Sequence, residues 1–148
     1  MTISQKCQYA LRSLFELGKR KDEGPTSVAQ IARAQAIPRR FLELILGQLR
    51  QGGFVESKRG ARGGYVLSVR PDRLTVGRVI RFVDGPFNPV ACLAGPDKSG
   101  CLLRGRCVFA GLWRQAAEAV AGVYDATTFQ DLIEAEPSAL HQPVDYAI

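Results

Sequence analysis

The sequence predicts a mainly α-helical fold carrying one small β-hairpin, and three observations predict it. Two short stretches of helical apolar period, ending near Gln35 and Gln51, are separated only by a tight turn. A basic, glycine-rich loop between two strand-like runs follows them directly. A longer, alanine-rich helical period lies further on, past a loop that holds three of the four cysteines.

Residues 3–19 place Cys7, Leu11, Leu14, Phe15 and Gly18 at helical spacing, one apolar stripe for a first helix. Arg20 to Thr26 is charged and then broken by Gly24-Pro25, so it is a loop. Ser27 can cap a short helix that runs through Val28, Ile31 and Ala32, because its side-chain oxygen can satisfy an otherwise unpaired N–H. Gln35 to Ile37 forms the turn, and Pro38 suits the first position of the next helix, where its missing N–H costs nothing. That helix continues through Phe41, Leu42, Ile45, Leu46 and Leu49 until Gly52-Gly53 stops it. Two short helices about a tight turn make a helix-turn-helix. Phe54-Val55-Glu56-Ser57 and Tyr65-Val66-Leu67-Ser68-Val69 then read as strands around the basic hairpin Lys58-Arg59-Gly60-Ala61-Arg62-Gly63-Gly64, the layout of a winged helix.

Leu74, Val76, Val79, Ile80 and Val83 predict a helix from about Thr75 to Gly85-Pro86. After the cysteine loop, residues 108–123 present Leu112, Ala116, Ala119, Val120 and Val123, a long helix suited to close helix–helix contact. A last short helix is expected at 128–135, and a loose tail beyond it. The chain thus divides into a winged helix-turn-helix (1–85), a cysteine loop (86–107), a long helix with a short C-terminal one (108–136) and a tail (137–148).

A chain of 148 residues with 46% hydrophobic content can bury one core plus an appended element. No apolar run approaches the roughly 20 residues that span a bilayer, and the start is polar and helical rather than a signal peptide. The expected location is the cytoplasm, where cysteines are metal ligands or reactive groups before they are disulfides. The net charge of +6 is uneven: residues 1–70 hold 13 Lys and Arg against 5 Asp and Glu, whereas residues 71–148 hold 7 against 9. A basic front half beside a near-neutral back half points to a polyanion bound by the front. No Ser/His/Asp set, paired carboxylates or phosphate loop appears, and the one histidine, His141, lies in the tail, so an enzyme is not expected.

Cys92, Cys101 and Cys107 are spaced C-x8-C-x5-C, too loosely for the paired C-x2-C knuckles of structural zinc. Three soft thiolates without a nearby histidine suit an iron–sulfur cluster better, with a thiol-only redox switch and zinc as alternatives. Lys98, Arg104 and Arg106 would offset cluster charge. Cys7 shares the stripe of Leu11 and Leu14 and reads first as a buried structural thiol.

In order and separation, several pieces resemble the IscR/NsrR/RirA family of winged-helix transcription regulators over nearly the whole chain. They are Tyr9-Ala10-Leu11, Phe41-Leu42-Glu43, Leu49-Arg50-Gln51-Gly52-Gly53-Phe54-Val55, Arg59-Gly60-Ala61-Arg62-Gly63-Gly64-Tyr65, the three-cysteine loop and Leu112-Trp113. The resemblance implies a homodimer paired through the long helix, a near-palindromic double-stranded operator, no membrane, and a cluster near each DNA-binding unit. Promoters of iron–sulfur assembly, nitric oxide defence, iron uptake or cysteine metabolism are its usual targets. In the family the fourth ligand is a histidine three residues after the last cysteine or an aspartate near the partner chain's N-terminus. Here those positions hold Ala110 and Gln8, leaving Gln8, Cys7, Asp97, a small molecule or water. This resembles the iron-responsive, three-cysteine branch, and a 4Fe–4S cluster is expected ahead of 2Fe–2S. Relatives without a cluster make a thiol-redox regulator the alternative, and an iron–sulfur carrier a more distant one.

Arg39 and Arg40 open the recognition helix, where arginine can bind guanine with two bonds or grip phosphate. Glu43 is expected to accept from cytosine N4, since a carboxylate near phosphate is otherwise repelled. In the wing, Lys58, Arg59 and Arg62 flank glycines, Gly63 among them, that let the backbone approach the duplex, and Arg59 or Arg62 can enter the minor groove. Ser27, Gln30 and Tyr9 are the remaining expected phosphate contacts.

Overall fold

The computed structural model describes residues 2–95 and 101–137. Within them, α1 (Gln5–Lys19), α2 (Val28–Gln35) and α3 (Arg39–Gln51) precede a hairpin of β1 (Val55–Lys58) and β2 (Gly64–Leu67). The helices α4 (Val76–Asp84), α5 (Ala110–Ala126) and α6 (Phe129–Glu134) follow, with single 3-10 turns at Pro71–Arg73 and Ala91–Leu93. The mainly helical fold with a hairpin wing is the one the sequence predicts.

Ser4 caps α1 by accepting from the Cys7 N–H at 3.1 Å. Its own N–H and hydroxyl donate to Asp84 at the end of α4, at 2.8 and 2.5 Å, so one cap joins two helices. The buried stripe of α1 is Cys7, Ala10, Leu14 and Leu17, with Leu11 and Phe15 only half-buried at its margin. Gly18 lies within 2.8 Å of Ile133 from where a Cβ would stand, so α6 packs closely against α1.

Ser27 and Gln30 form a reciprocal capping box at α2. The turn after α2 is made by Ala36, the only non-glycine residue with positive φ among the described residues, at 49°. Pro38 departs from the expectation. It is the N-cap rather than the first helical residue, because its ψ of 125° is still extended. Its carbonyl already accepts from Phe41 and Leu42 at 3.0 and 3.1 Å, which starts α3 without a side-chain cap. Gly53, at φ 76°, ends α3, and the Phe54 N–H reaches back to the Leu49 carbonyl at 3.0 Å.

The wing is antiparallel, from Val55 opposite Leu67 to Lys58 opposite Gly64. Thr26 pairs with Tyr65 through two backbone bonds of 2.8 and 2.9 Å, which pins the wing to the start of α2. A side chain on Gly64 would run into the Thr26 carbonyl oxygen, so only glycine permits this approach.

Two differences shape the back of the molecule. The long helix begins two residues later and ends three later than 108–123. It starts after a turn at Val108 and Phe109 and stops at Thr127, whose backbone is extended. The short helix that follows is built into the front core. Thr128 bridges to Thr75, the Phe129 N–H bonds to the Leu74 carbonyl at 2.9 Å, and the Phe129 side chain is completely buried. No helix among the described residues is long and apolar enough to cross a membrane.

Candidate nucleic-acid interface and cysteine loop

At 100° per residue, Leu42, Ile45, Leu46 and Leu49 turn one side of α3 into the core. The opposite side carries Arg40, Glu43, Leu44 and Gly47. Arg39 lies at the edge of that face, and its Nε meets Glu43 Oε1 at 3.2 Å, with side chains 67% and 55% exposed. An exposed pair of this kind contributes at most about 1 kcal/mol, so it is readily exchanged for contacts to an incoming ligand. The sequence places Phe41 in the apolar run of α3, but it is 52% exposed at the flank of that run. Together with Tyr9, Lys6, Leu44 and Gln48 it lines a groove of about 350 Å³ between α1 and α3. Tyr9 is half-buried there, and the Arg12 guanidinium stands 5.8 Å above its ring.

Arg12 and Glu16 of α1 hold Gln35 at the end of α2, which fixes how α2 meets α1. Arg12 donates to the Gln35 carbonyl, and the buried Glu16 carboxylate accepts from Arg20 Nε at 2.5 Å and from Gln35 Nε2 at 2.8 Å. Burial by itself would raise the Glu16 pKa, but the bonds from Arg20 and Gln35, with the charges of Arg20 and Lys19, outweigh it and hold it below 4.5. This carboxylate was not among the functional candidates. Its one signal in the sequence is the i, i+4 pair with Arg20, since Glu16 lies off the apolar stripe of α1.

At the wing tip Arg59 and Arg62 are exposed, and Lys58 Nζ pairs with Glu56 Oε2 at 3.1 Å. The Gly63 N–H bonds to the Gly60 carbonyl at 3.0 Å, and a Gly63 side chain would come within 2.5 Å of the Lys58 carbonyl. Arg62 and Gly63 share a cleft of about 410 Å³ with Ser27 and Gln30. Ser27 Oγ accepts from the Gln30 N–H at 3.2 Å, and Gln30 Oε1 accepts from the Ser27 N–H at 2.9 Å. Both side-chain oxygens are therefore used inside the chain, leaving the Ser27 hydroxyl proton and the Gln30 amide protons as donors towards the cleft.

Among the loop thiols, Cys92 is half-buried in the 3-10 turn, Cys101 is exposed, and Cys107 is half-buried three residues before α5. All four cysteines are free. Three thiols are the soft donors an iron–sulfur cluster takes, yet among the described residues no group of three His, Cys, Asp or Glu side chains could hold a metal ion. The donor set fits by chemistry and is not assembled by geometry. Ala110 offers no ligand, and Gln8 is exposed on α1 with its amide donating to the Ile3 carbonyl at 3.1 Å. Cys7 does not fit the ligand role. Burial, and then the neighbouring Asp84, push its thiol up to about 12, so the thiolate that a metal needs is disfavoured. Asp97, Lys98 and His141 lie outside the described residues.

The loop is tied to the front of the molecule at Phe87. Its ring stacks on Tyr124 of α5 at 5.2 Å, and the Arg81 guanidinium of α4 stands 5.1 Å above it. Arg81 also makes two bonds to Asp125, at 2.6 and 2.5 Å, which clamp α4 to α5. The sequence did not single out this cluster, since Arg81 and Asp125 lie 44 residues apart.

Comparison with known proteins agrees with this architecture. A family model described as Rrf2, iron-dependent transcriptional regulator, matches residues 3–135. The chain is 39% identical over 132 residues to the HTH-type transcriptional regulator CymR of Bacillus subtilis, covering 89% of each. It is 31% identical to the HTH-type transcriptional regulator IscR of Aliivibrio salmonicida, covering 100% of this chain and 88% of that one. Among solved structures it is similar to CymR, described as the global cysteine regulator of B. subtilis, with a TM-score of 0.74, 38% identity and coverage of 90% and 97%. It is similar also to T. potens IscR, with a TM-score of 0.75, 28% identity and coverage of 97% and 94%.

Proposed function

The chain belongs to the Rrf2 family of transcriptional regulators, and on that premise we propose that it is a homodimeric, promoter-binding repressor whose DNA affinity is set by chemistry at Cys92, Cys101 and Cys107. The observation that carries this reading is the exposed face of α3. It offers Arg39, Arg40 and Glu43 opposite a fully packed stripe, while a wing pinned by Thr26 and Tyr65 offers Arg59 and Arg62. Arg39 or Arg40 takes guanine or phosphate, Glu43 takes cytosine N4, and the wing arginines enter the minor groove. Lys58, Ser27, Gln30 and Tyr9 hold phosphates. Such a protein works in the cytoplasm, on DNA, and carries out no catalysis.

Dimerisation is supported by α5, a helix of 17 residues none of which is buried, with Leu112 and Val123 more than half exposed. Pairing two copies through α5 sets the distance between two recognition helices, and hence the spacing of operator half-sites. The loop reaches that interface through Phe87, Tyr124, Arg81 and Asp125. Drawing the loop cysteines together would pull on Phe87 and tilt α4 against α5.

The input that the likeness to CymR favours is thiol oxidation. Two loop thiols form a disulfide, passing two electrons and two protons to a disulfide or peroxide oxidant. The likeness to a cysteine regulator supports it. A second reading, an iron–sulfur cluster of 4Fe–4S or 2Fe–2S type on the three cysteines, is favoured by the soft donor set and the likeness to IscR.

Purification without oxygen, with iron, sulfide and zinc quantified and duplex binding measured before and after oxidised glutathione, separates the two. Iron and sulfide in equal amounts, both lost in Cys101→Ala, support the cluster. Metal-free protein whose DNA affinity responds to glutathione disulfide in the wild type, and not in Cys101→Ala, supports the thiol switch. A preferred duplex bound equally in every state overturns the cysteine input.

A further inference from the structure

Leucine in the middle of a recognition helix is usually core, and the neighbours Leu42, Ile45, Leu46 and Leu49 are. Leu44 is not: it is 66% exposed and points away from that stripe, one turn on from Arg40 and at the rim of the groove it lines with Phe41 and Tyr9. A single exposed leucine needs no explanation on its own. The residue one turn ahead supplies the reason to look further. Gly47 sits inside α3, where glycine is destabilising relative to alanine, and nothing lies within 4 Å of where its Cβ would stand. Among the described residues no packing contact and no positive φ requires a glycine there. Its effect is to clear the surface beside Leu44 for a large, closely approaching partner.

The charge around this patch selects the partner. Arg39, Arg40 and Arg50 share α3, and residues 1–70 hold 13 basic against 5 acidic side chains, so a second copy of the same face would be repelled. A nucleic-acid duplex is attracted. In its major groove one base alone offers an apolar group, the 5-methyl of thymine, and apolar side chains are its usual contacts. We propose that Leu44 is a specificity-determining residue that reads a thymine 5-methyl group, with Gly47 giving the helix the depth to reach it. The inference rests on the DNA-binding reading above and adds to it a base that neither Arg40 nor Glu43 can read by its charge.

The test uses the full-length protein. A preferred duplex is selected from a randomised library, and each of its thymines is then replaced singly by deoxyuridine, which removes only the methyl group. Fluorescence anisotropy reads the affinity. One position per half-site weakens wild-type binding about 4-fold, and both together about 16-fold, which is what ~0.8 kcal/mol per buried methyl gives. Leu44→Ala binds the thymine and deoxyuridine duplexes equally, and Leu44→Met keeps the difference. The proposal is overturned if no substitution weakens the wild type, if the selected half-site holds no thymine, or if Leu44→Ala loses the same factor as wild type. Selection of no preferred sequence overturns the DNA-binding reading as well, whereas a preferred sequence indifferent to deoxyuridine overturns this inference alone.

Discussion

Residues 4–84 and residues 101–126 are both largely helical, yet they are built by opposite rules. In the first region α1, α2 and α4 each begin at a serine or threonine whose oxygen accepts from a helix N–H. Their apolar stripes meet that of α3 in one core of residues such as Leu14, Ile31, Leu46 and Val79. In the second region α5 begins after Phe109 without a side-chain cap and buries none of its residues, and Leu102, Val108, Phe109 and Leu112 are exposed before or along it. The front buries a core of its own, and α5 leans on it through the half-buried Val120, Ala121 and Tyr124 and the Arg81–Asp125 pair. Phe129 marks the boundary, because there the chain leaves α5 and returns to the front core.

Four substitutions break or sharpen that contrast, in descending order of effect on folding. Phe129→Ala removes a fully buried ring and lowers stability by about 3–5 kcal/mol. Urea unfolding with an unchanged slope reads it, and a loss below about 1 kcal/mol would detach α6 from the front core. Glu16→Gln leaves Arg20 without its buried partner and lowers stability by about 1–3 kcal/mol at neutral pH. Because the folded pKa of Glu16 is depressed, its contribution is complete above about 4.5 and is lost as pH falls through the folded value. The difference between wild type and Glu16→Gln therefore shrinks on acidification below pH 4.5, and a gap that stays constant to strongly acid pH would contradict this account.

Ser27→Ala removes the cap of α2 and lowers stability by about 1 kcal/mol, visible as a shift in urea midpoint. Leu112→Asp, on the uncovered helix, changes monomer stability by less than about 0.5 kcal/mol. Its effect belongs to assembly: sedimentation velocity shows a dimer becoming a monomer. A variant that stays dimeric would place the interface elsewhere than α5.

Much of the front was legible because its signals are local. Ser27 and Gln30 stand three apart as a capping box requires, Gly52-Gly53 closes α3, and the glycines of the wing sit where a tight turn needs them. The outward placing of Arg39, Arg40 and Glu43 on α3 was legible from the helix-turn-helix register, and the burial of Cys7 from the stripe it shares. What escaped depended on distance or on direction. Phe41 looks like a core residue in one dimension, and only its angle around α3 turns it outwards. The clamp of Arg81 on Asp125 and the burial of Phe129 join residues far apart in the chain, for which no periodic signal exists. In the cysteine loop the spacing names the donors, but a segment of glycines and prolines has no period from which to place their sulfurs.

Control of DNA binding in the front half by the loop cysteines is the proposal on which the function turns. Its most direct test measures the affinity of one purified preparation for a selected duplex in three states: reduced and metal-free, oxidised with glutathione disulfide, and reconstituted with iron and sulfide. A change of about tenfold or more (about 1.4 kcal/mol) is expected between the reduced state and one of the others, abolished when Cys92, Cys101 and Cys107 are all replaced by alanine. The same affinity in all three states, in wild type and triple variant alike, would contradict it.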